Sequence, residues 1–430
     1  MKRKFTALAL VMCLVLTLLL PGCSGGGDTS GSGEGGKKNL GDVTIYSFYK
    51  AHFTDEYADQ NATGRAAKRY EELYGGKVTE VNVPYADYQE TLTQMVSGNS
   101  APDMVSVFGG DMPGWALNIL QPVDDYIDTS KLLHQGIVDS YRFQDKTYTL
   151  AVQQVQTYFI WYNKTLLEQN GVEEMPYDMW KNGTWTWENF KELAKQLTID
   201  TNADGENDIW GFSSPDPQTF FYCNSAPLID NTTYKVAWDS QACQNSWEFT
   251  KGLYTEKIMS KDNLADNGGF ENGQVAMAHG SFEFAWARSS GMDPSEIGVV
   301  PFPEGPDFNG SYIAYTNFFG IPKTAKNPEG AAALAELIAE EEKKLDMGYD
   351  LGNSEATAVL DEQALEVIKH CTDNAVVNME RGWGDFVSVY MECYNDIFFK
   401  GVNTKTALDS FKPKAQAAID DILEQAKKNK

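Results

Sequence analysis

Basic residues are in short supply: 35 Lys and Arg stand against 61 Asp and Glu, a formal net charge of −26. A surface of that sign repels nucleic acid and anionic lipid and argues against a polyanionic ligand. Histidine is scarcer still. His52, His134, His279 and His370 lie far apart and have no metal-ligand spacing. No H-E-x-x-H, Walker A loop or G-x-S-x-G elbow occurs, so nothing in the chain marks zinc, phosphate-loop or serine-hydrolase chemistry. The six cysteines form no C-x-x-C pair, and a chain this long does not need disulfides for stability. Long apolar runs are missing too: none reaches the ~20 residues of a membrane span. Acids, by contrast, are plentiful. A carboxylate pair for glycoside hydrolysis stays open, because such pairs meet in space and not in sequence.

The N-terminus speaks to compartment. Lys2, Arg3 and Lys4 precede an apolar run over 5–20 and a small-residue close, the form of a secretory signal. The close, Leu20-Pro21-Gly22-Cys23, resembles a bacterial lipobox, which implies cleavage after residue 22 and lipid on the Cys23 thiol. The alternative is a plain secretory signal with Cys23 incidental. Loss of 1–22 removes three basic residues and no acid, leaving −29. Residues 24–38, SGGGDTSGSGEGGKK, cannot bury enough apolar surface to order themselves. As part of a 23–40 linker they would span roughly 20–25 Å as a flexible coil. Gly31, Gly33 and Gly36 fit G-x-G-x-x-G, but no strand precedes them and no helix follows.

From residue 41 on, strands alternate with helices. Residues 43–46, 78–83 and 104–108 read as short strands, and 63–74 and 87–96 as helices between them, the order of an α/β sheet. Thr186 can cap a helix carrying Phe190, Leu193, Ala194 and Leu197 at helical spacing. Asn327-Pro328 opens another, with Leu334, Leu337 and Ile338 on its inner face. An amphipathic helix through Ala415, Ala418, Ile419 and Ile422 ends the chain.

Five stretches in register carry a family resemblance: APDMVSVFGGDMPGWALNILQPVDDYI, YTLAVQQVQTYFIWYNKTLLEQNGV, WTWENFKELAKQLT, GQVAMAHGSFEFAW and FFGIPKTAKNPEGAAALAELIA. Together they resemble the bacterial extracellular solute-binding proteins, relatives of maltose-binding protein. The resemblance implies a two-lobe, type II periplasmic-binding-protein-like α/β fold with hinge strands and a central ligand cleft. It implies an N-terminal lobe of 41–155 and 319–365, and a C-terminal lobe of 156–318 and 366–430. It further implies capture of a mono- or oligosaccharide by a monomer that serves the permease of an ABC importer and touches the membrane through its lipid alone. No cofactor is required for that. The alternative is a surface-anchored glycoside hydrolase or lyase using the same cleft. The stretch 348–373, with LGNSEATAVLDEQ, departs from the family pattern.

A sugar site needs aromatic plates and side chains that both donate and accept. The resemblance places Phe48 at the end of the first strand and Asp111 at the end of the third. Gln156 falls in a hinge strand, and Gln154, one strand period away, shares its face. Phe220, Phe221 and Tyr222 fall where relatives carry a stacking aromatic, with Phe220 the first candidate among three that the sequence leaves equivalent. Phe282 takes the place of an aromatic plate, with Glu283 beside it, and Trp383 that of a stacking tryptophan. Trp185 and Trp187 read as structural. Cys223 and Cys243 share a lobe and are the preferred pair if any disulfide forms; buried free thiols are the other reading for these two, Cys371 and Cys393.

One stretch stands apart. In DTNADGENDIWGF, Asp200, Asn202, Asp204, Glu206 and Asp208 fill alternate positions of a calcium loop, with Gly205 at the sharp turn. Gly211 stands where an EF-hand needs its bidentate glutamate. Two readings stay open, a structural calcium completed by a distant carboxylate and an Asx-rich turn without metal.

Overall fold

The computed structural model describes residues 38–428 apart from 215–217, 261, 346–353 and 378, with the backbone alone at 153, 154, 354 and 355. The signal segment, Cys23 and most of the linker lie outside the described residues. Among those described, no helix is long and apolar enough to cross a membrane.

The strands run β1 (Val43–Ser47), β2 (Val78–Asn82), β3 (Met104–Phe108), β4 (Leu120–Gln121) and β5 (Ala151–Thr157), then β6 (Phe159–Asn163) and β7 (Trp210–Ser213). After a small hairpin of β8 (Ile229–Asp230) and β9 (Lys235–Val236) come β10 (Val275–Gly280), β11 (Ile297–Val300), β12 (Tyr312–Pro322) and β13 (Ala375–Val377). They build two sheets, one for each of two α/β lobes. The first has the order β13-β12-β3-β1-β2, with β4 and β5 also on β12; the second is β11-β6-β10-β7. β1 pairs in parallel with both β2 and β3, as strands joined by helical crossovers must. Only Tyr158 separates β5 from β6, so the chain passes from one sheet to the other in a single residue.

The expected elements form where pattern and caps place them. The first helix is Ala62–Tyr74 and the second Tyr85–Ser97. Thr186 accepts from the Asn189 amide at 3.4 Å to cap Trp187–Gln196. Asn327 accepts from the Gly330 amide at 2.9 Å, and Pro328 opens Pro328–Glu342. Helix Glu362–Asp373 supplies Ala364, Val367, Ile368 and Cys371 to an apolar cluster over the second sheet. Trp187 stacks on Phe249 at 4.2 Å and Trp185 donates to the Pro301 carbonyl at 2.7 Å, the structural roles expected of both.

Gly211 has a packing reason. A Cβ there would lie 1.8 Å from the Ala194 carbonyl oxygen, so β7 approaches helix Trp187–Gln196 only because this residue has none. The position at which a calcium loop would need its glutamate is thus committed to the lobe's core.

All four described cysteines are free and buried, which replaces the Cys223–Cys243 bridge with the alternative of free thiols. The Trp187 indole donates to the Cys223 sulfur at 3.4 Å. Burial pushes the Cys223 and Cys243 thiols up to about 12, so neither is a thiolate at neutral pH.

Helices Ala62–Tyr74 and Pro328–Glu342 pack through small residues, Ala66 and Ala67 on one and Ala331, Ala332 and Ala335 on the other. A buried acid ties them together. Glu341 accepts from Arg69 at 2.8 Å, Arg65 at 3.3 Å and Lys344 at 2.6 Å. Burial alone would raise its carboxyl, but the three cations outweigh burial and hold it below the usual carboxylate range. A depressed pKa gives stability that is present above the unfolded value and lost as pH falls through the folded one. Glu341→Gln should therefore cost about 2 kcal/mol at neutral pH. In denaturant melts the gap from wild type should close as pH drops below the ordinary carboxylate range; a gap independent of pH would show that charge is not the cause.

Candidate ligand-binding site

The two sheets meet along β5 and β12, and the pleat decides what faces the junction. Tyr315 pairs with Gln156, and Asn317 with Gln154. Gln156, Tyr158, Tyr315 and Asn317 are partly exposed, whereas Val155, Thr157, Ala314 and Thr316 between them are buried. Cross-strand partners share a face. Gln156, Tyr158, Tyr315 and Asn317 thus form one floor of amides and phenols, to which the backbone register adds position 154. The Gln154 side chain lies outside the described residues.

The second lobe closes this floor from one side. The Tyr158 ring meets His279 edge-on at 4.6 Å and Tyr315 at 5.4 Å. His279 is the penultimate residue of β10, and its Nδ1 lies 2.9 Å from the Ser214 hydroxyl just beyond β7. Nearby, buried Glu380 accepts from the Tyr222 hydroxyl at 2.5 Å and from the Gln218 amide. Burial, and then Glu380, raise the Tyr222 phenol well above its ordinary value, and its short helix, Thr219–Tyr222, packs on β12. Tyr222 therefore stays a neutral donor across the physiological range.

The first lobe supplies loops at the carboxyl ends of its parallel strands, where α/β sheets bind ligands. After β1, Glu80 of β2 accepts from the Ser47 hydroxyl at 2.7 Å and the amides of Ala51 at 2.7 Å and Phe53 at 3.1 Å. One carboxylate fixes the turn that presents Phe48 and Tyr49. After β3, Asp111 meets Arg381 at 3.3 Å, and the Arg381 guanidinium lies over the Phe108 ring at 4.8 Å. Burial lifts the Asp111 carboxyl above its usual value despite Arg381. Gly382 seals this seam: a Cβ there would lie 1.7 Å from the Met112 carbonyl oxygen.

Of the residues expected from sequence, Gln156, Phe48 and Asp111 lie on these surfaces. Glu283 is partly exposed and immediately precedes helix Phe284–Arg288, just beyond β10. Three aromatics need correction. Phe220 is fully buried among Phe190, Phe212, Phe249 and Phe302. Phe282 is 2% exposed and belongs to the apolar cluster over the second sheet. Trp383 is fully buried against Phe143 and Tyr234, and its Nε1 has no hydrogen-bond partner among the described residues. Each is held by core packing and offers no open face to a solute. Of the three aromatics at 220–222 it is Tyr222 whose hydroxyl reaches this edge, through Glu380, while Tyr158, Tyr315, Asn317, Ser214, Gln218 and Glu380 were missed. The alternation Tyr315-x-Asn317, matching Gln154-x-Gln156-x-Tyr158, was the signal that could have found three of them.

The loop at 200–208 lies elsewhere. Asp200 accepts from the amides of Asn202, Ala203 and Gly205, Asn202 from Asp204, Asp204 from Glu206, and Asp208 from Thr201. Those backbone hydrogen bonds lower the Asp200 carboxyl. Among the described residues no three His, Cys, Asp or Glu side chains are grouped to hold a metal ion.

A family model described as bacterial extracellular solute-binding protein matches residues 50–344, more than half of the chain. The chain is 25% identical over 182 residues to an uncharacterized ABC transporter extracellular-binding protein of Pyrococcus horikoshii, covering 40% of each. It is 30% identical over 142 residues to the diacetylchitobiose binding protein NgcE of Streptomyces coelicolor, covering 30% of this chain and 29% of that one. These matches thus span less than half the length of either curated relative. Whole-chain likeness comes from solved structures. The cyclic alpha-maltosyl-1,6-maltose binding protein of Arthrobacter globiformis superposes with a TM-score of 0.69 at 14% identity, over 88% of this chain and 99% of that one. The sugar-binding protein MalE of Xanthomonas citri gives 0.68 at 16%, over 89% and 99%. An ABC substrate-binding protein of Listeria monocytogenes in complex with cycloalternan gives 0.62 at 19%, over 88% and 99%.

Two measurements test the local geometry. Glu80→Ala should cost about 2 kcal/mol of stability and speed hydrogen exchange at the Ala51 and Phe53 amides; unchanged exchange would mean Glu80 does not hold the loop. For the 200–208 loop, melting curves in calcium and in chelator should superimpose, since Asp200, Asp204 and Asp208 already accept from amides of the loop itself. A chelator-sensitive melt that Asp204→Ala abolishes would instead place a cation there.

Proposed function

Because this chain belongs to the bacterial extracellular solute-binding proteins, we propose that it captures a carbohydrate, mono- or oligosaccharide, between its lobes and hands it to an ABC importer. One observation carries the choice of solute: the floor of Gln156, Tyr158, Tyr315 and Asn317, with Ser214, His279 and Tyr222 at its edge. Amides, phenols and a hydroxyl both donate and accept, as sugar hydroxyls require, and the rings cover the apolar sugar faces. Further support comes from similar solved structures, which are named for a cyclic maltosyl-maltose and for cycloalternan, and from the relative named for diacetylchitobiose.

The protein is a binding protein and not an enzyme. The proposal includes release of the solute unchanged to the permease, and a monomer tethered through lipid on Cys23 and the 23–40 linker. The lobe boundaries that go with it are 41–155 with 319–365, and 156–318 with 366–430.

The test is a thermal-shift and calorimetric screen of residues 38–430 against sugars. A true ligand should raise the melting temperature by mass action, about 2.7 kcal/mol of added stability at a hundredfold excess over Kd. Gln156→Ala should weaken binding of that ligand, since a buried sugar hydroxyl left without its partner costs about 1–3 kcal/mol. Steady release of hydrolysed product from any bound oligosaccharide would sink the reading.

A further inference from the structure

Aromatic rings line the first lobe from the junction toward the sheet's edge strand. β1 and β2 run parallel in register as far as Ser47 and Asn82, and the Val83 amide continues the ladder by donating to the Ser47 carbonyl at 2.8 Å. The residues that follow the two strands are therefore held side by side. Pro84 ends the extended run, and Tyr85 opens helix Tyr85–Ser97 next to Phe48.

Tyr49 lies nearest the floor. Burial is the main reason its phenol is raised, the Asn317 side chain beside it opposes the shift, and its buried hydroxyl has no hydrogen-bond partner among the described residues. Phe48 meets Tyr49 edge-on at 5.0 Å, Tyr88 at 5.2 Å and Tyr85 at 5.4 Å. Tyr88 is core: it is 2% exposed, and its hydroxyl donates to the Tyr46 carbonyl at 2.6 Å. Tyr85 differs from it. At 56% it is the most exposed large hydrophobic among the described residues. Its helix buries Tyr88 and Leu92 and not Tyr85, so the fold gains little from a ring at this place. A lone exposed tyrosine needs no explanation. One held at the end of a ring row that begins beside Asn317 does.

We propose that Tyr85, backed by Phe48, is an outer stacking subsite, and that the solute is an oligosaccharide whose far unit lies on this ring. The assignment rests on the carbohydrate reading above. A single sugar covers one ring, and successive steps of 5.0 and 5.4 Å from Tyr49 to Tyr85 extend the surface beyond that. Inner units use the floor of Gln156, Tyr158, Tyr315 and Asn317, and Tyr85 discriminates by length.

The experiment is calorimetric titration of wild type, Tyr85→Ala and Tyr85→Phe. The probes are α-1,4-linked glucose oligomers and β-1,4-linked N-acetylglucosamine oligomers, each from the disaccharide to the hexasaccharide. Tyr85→Ala should lose about ten-fold in affinity for the longest ligands, the equivalent of one buried ring face. The disaccharide should stay within about two-fold, because it does not reach the outer ring. Tyr85→Phe should keep wild-type affinity, and the melting temperature of all three should agree because the ring is mostly exposed. Wild-type binding that Tyr85→Ala leaves untouched at every length, or lowers equally at every length, overturns the subsite while sparing the carbohydrate reading. Wild type that binds neither series overturns the subsite as a site for these oligosaccharides, while the sugar screen above decides the carbohydrate reading separately.

Discussion

The junction depends on a single strand. β12 pairs with β13 at Tyr312–Ala314, with β5 over Ala314–Phe319, with β3 over Asn317–Gly320 and with β4 at Ile321 and Pro322. From Ala314 to Asn317 its exposure alternates; from Phe318 onward every residue is buried. The change coincides with a register shift against β5 between Asn317 and Phe318. The extra residue, at 153, lies on β5, so it is β5 that bends and whose direction changes there against a continuous β12. Here the bulge separates a half-open floor from a fully enclosed sheet centre. A slip of one residue would turn Tyr315 and Asn317 into the core and bring Thr316 and Ala314 to the surface, so the floor exists only because the pairing with β5 is fixed.

A chain with this excess of acid must also settle the carboxylates it buries, since an unpaired buried charge is costly. It does so in distinct ways. Glu341 has three cations and pins two helices. Glu80 takes backbone amides and a hydroxyl, so it organises a loop. Glu380 takes a phenol and an amide, which ties the Gln218–Tyr222 segment to the crossing near Gly382. Asp111 has one half-exposed guanidinium at the seam, and burial leaves its carboxyl raised. Three cations serve the acid between the outer helices and neutral donors serve Glu80 and Glu380, with Asp111 at the seam between the two cases.

Fold was more legible in the sequence than site, for a physical reason. Strand and helix positions follow from local pattern and caps: the apolar run of β3 and the bond from the Gly330 amide to the Asn327 side chain can both be read within a few residues. Which way an aromatic faces depends on what packs against it from elsewhere in the chain. Phe220 is enclosed by Phe190 and Phe302, respectively thirty positions before it and eighty-two after. Trp383 is enclosed by Phe143 and Tyr234, from still farther away. Gln156 was legible because a polar amide in an apolar strand has few stable places other than a wet face. Tyr158 and Tyr315 gave no such signal by residue type, since tyrosine suits both core and surface; only their alternation with Gln156 and Asn317 marked their face. At Gly211, where an EF-hand would need its glutamate, the close approach of helix and strand demands a residue without a Cβ, a requirement set by Ala194 that no local pattern could show.

The composition of the floor bears on what kind of protein this is. Hydrolysis of a glycosidic bond needs two carboxyl groups with separated tasks on either side of it. The floor face itself presents amides and phenols, and the buried acid at its edge, Glu380, is engaged by Gln218 and Tyr222. Engagement of that kind fixes a carboxylate as an acceptor for its neighbours, which suits a scaffold more than a proton donor. Amides and phenols hold sugar hydroxyls without changing protonation state, so binding and release are governed by geometry alone. The hinge then supplies the geometry. With Tyr158 standing between β5 and β6, and its ring against both Tyr315 of the first sheet and His279 of the second, a rotation of one lobe on the other acts directly on the surface that would hold the solute.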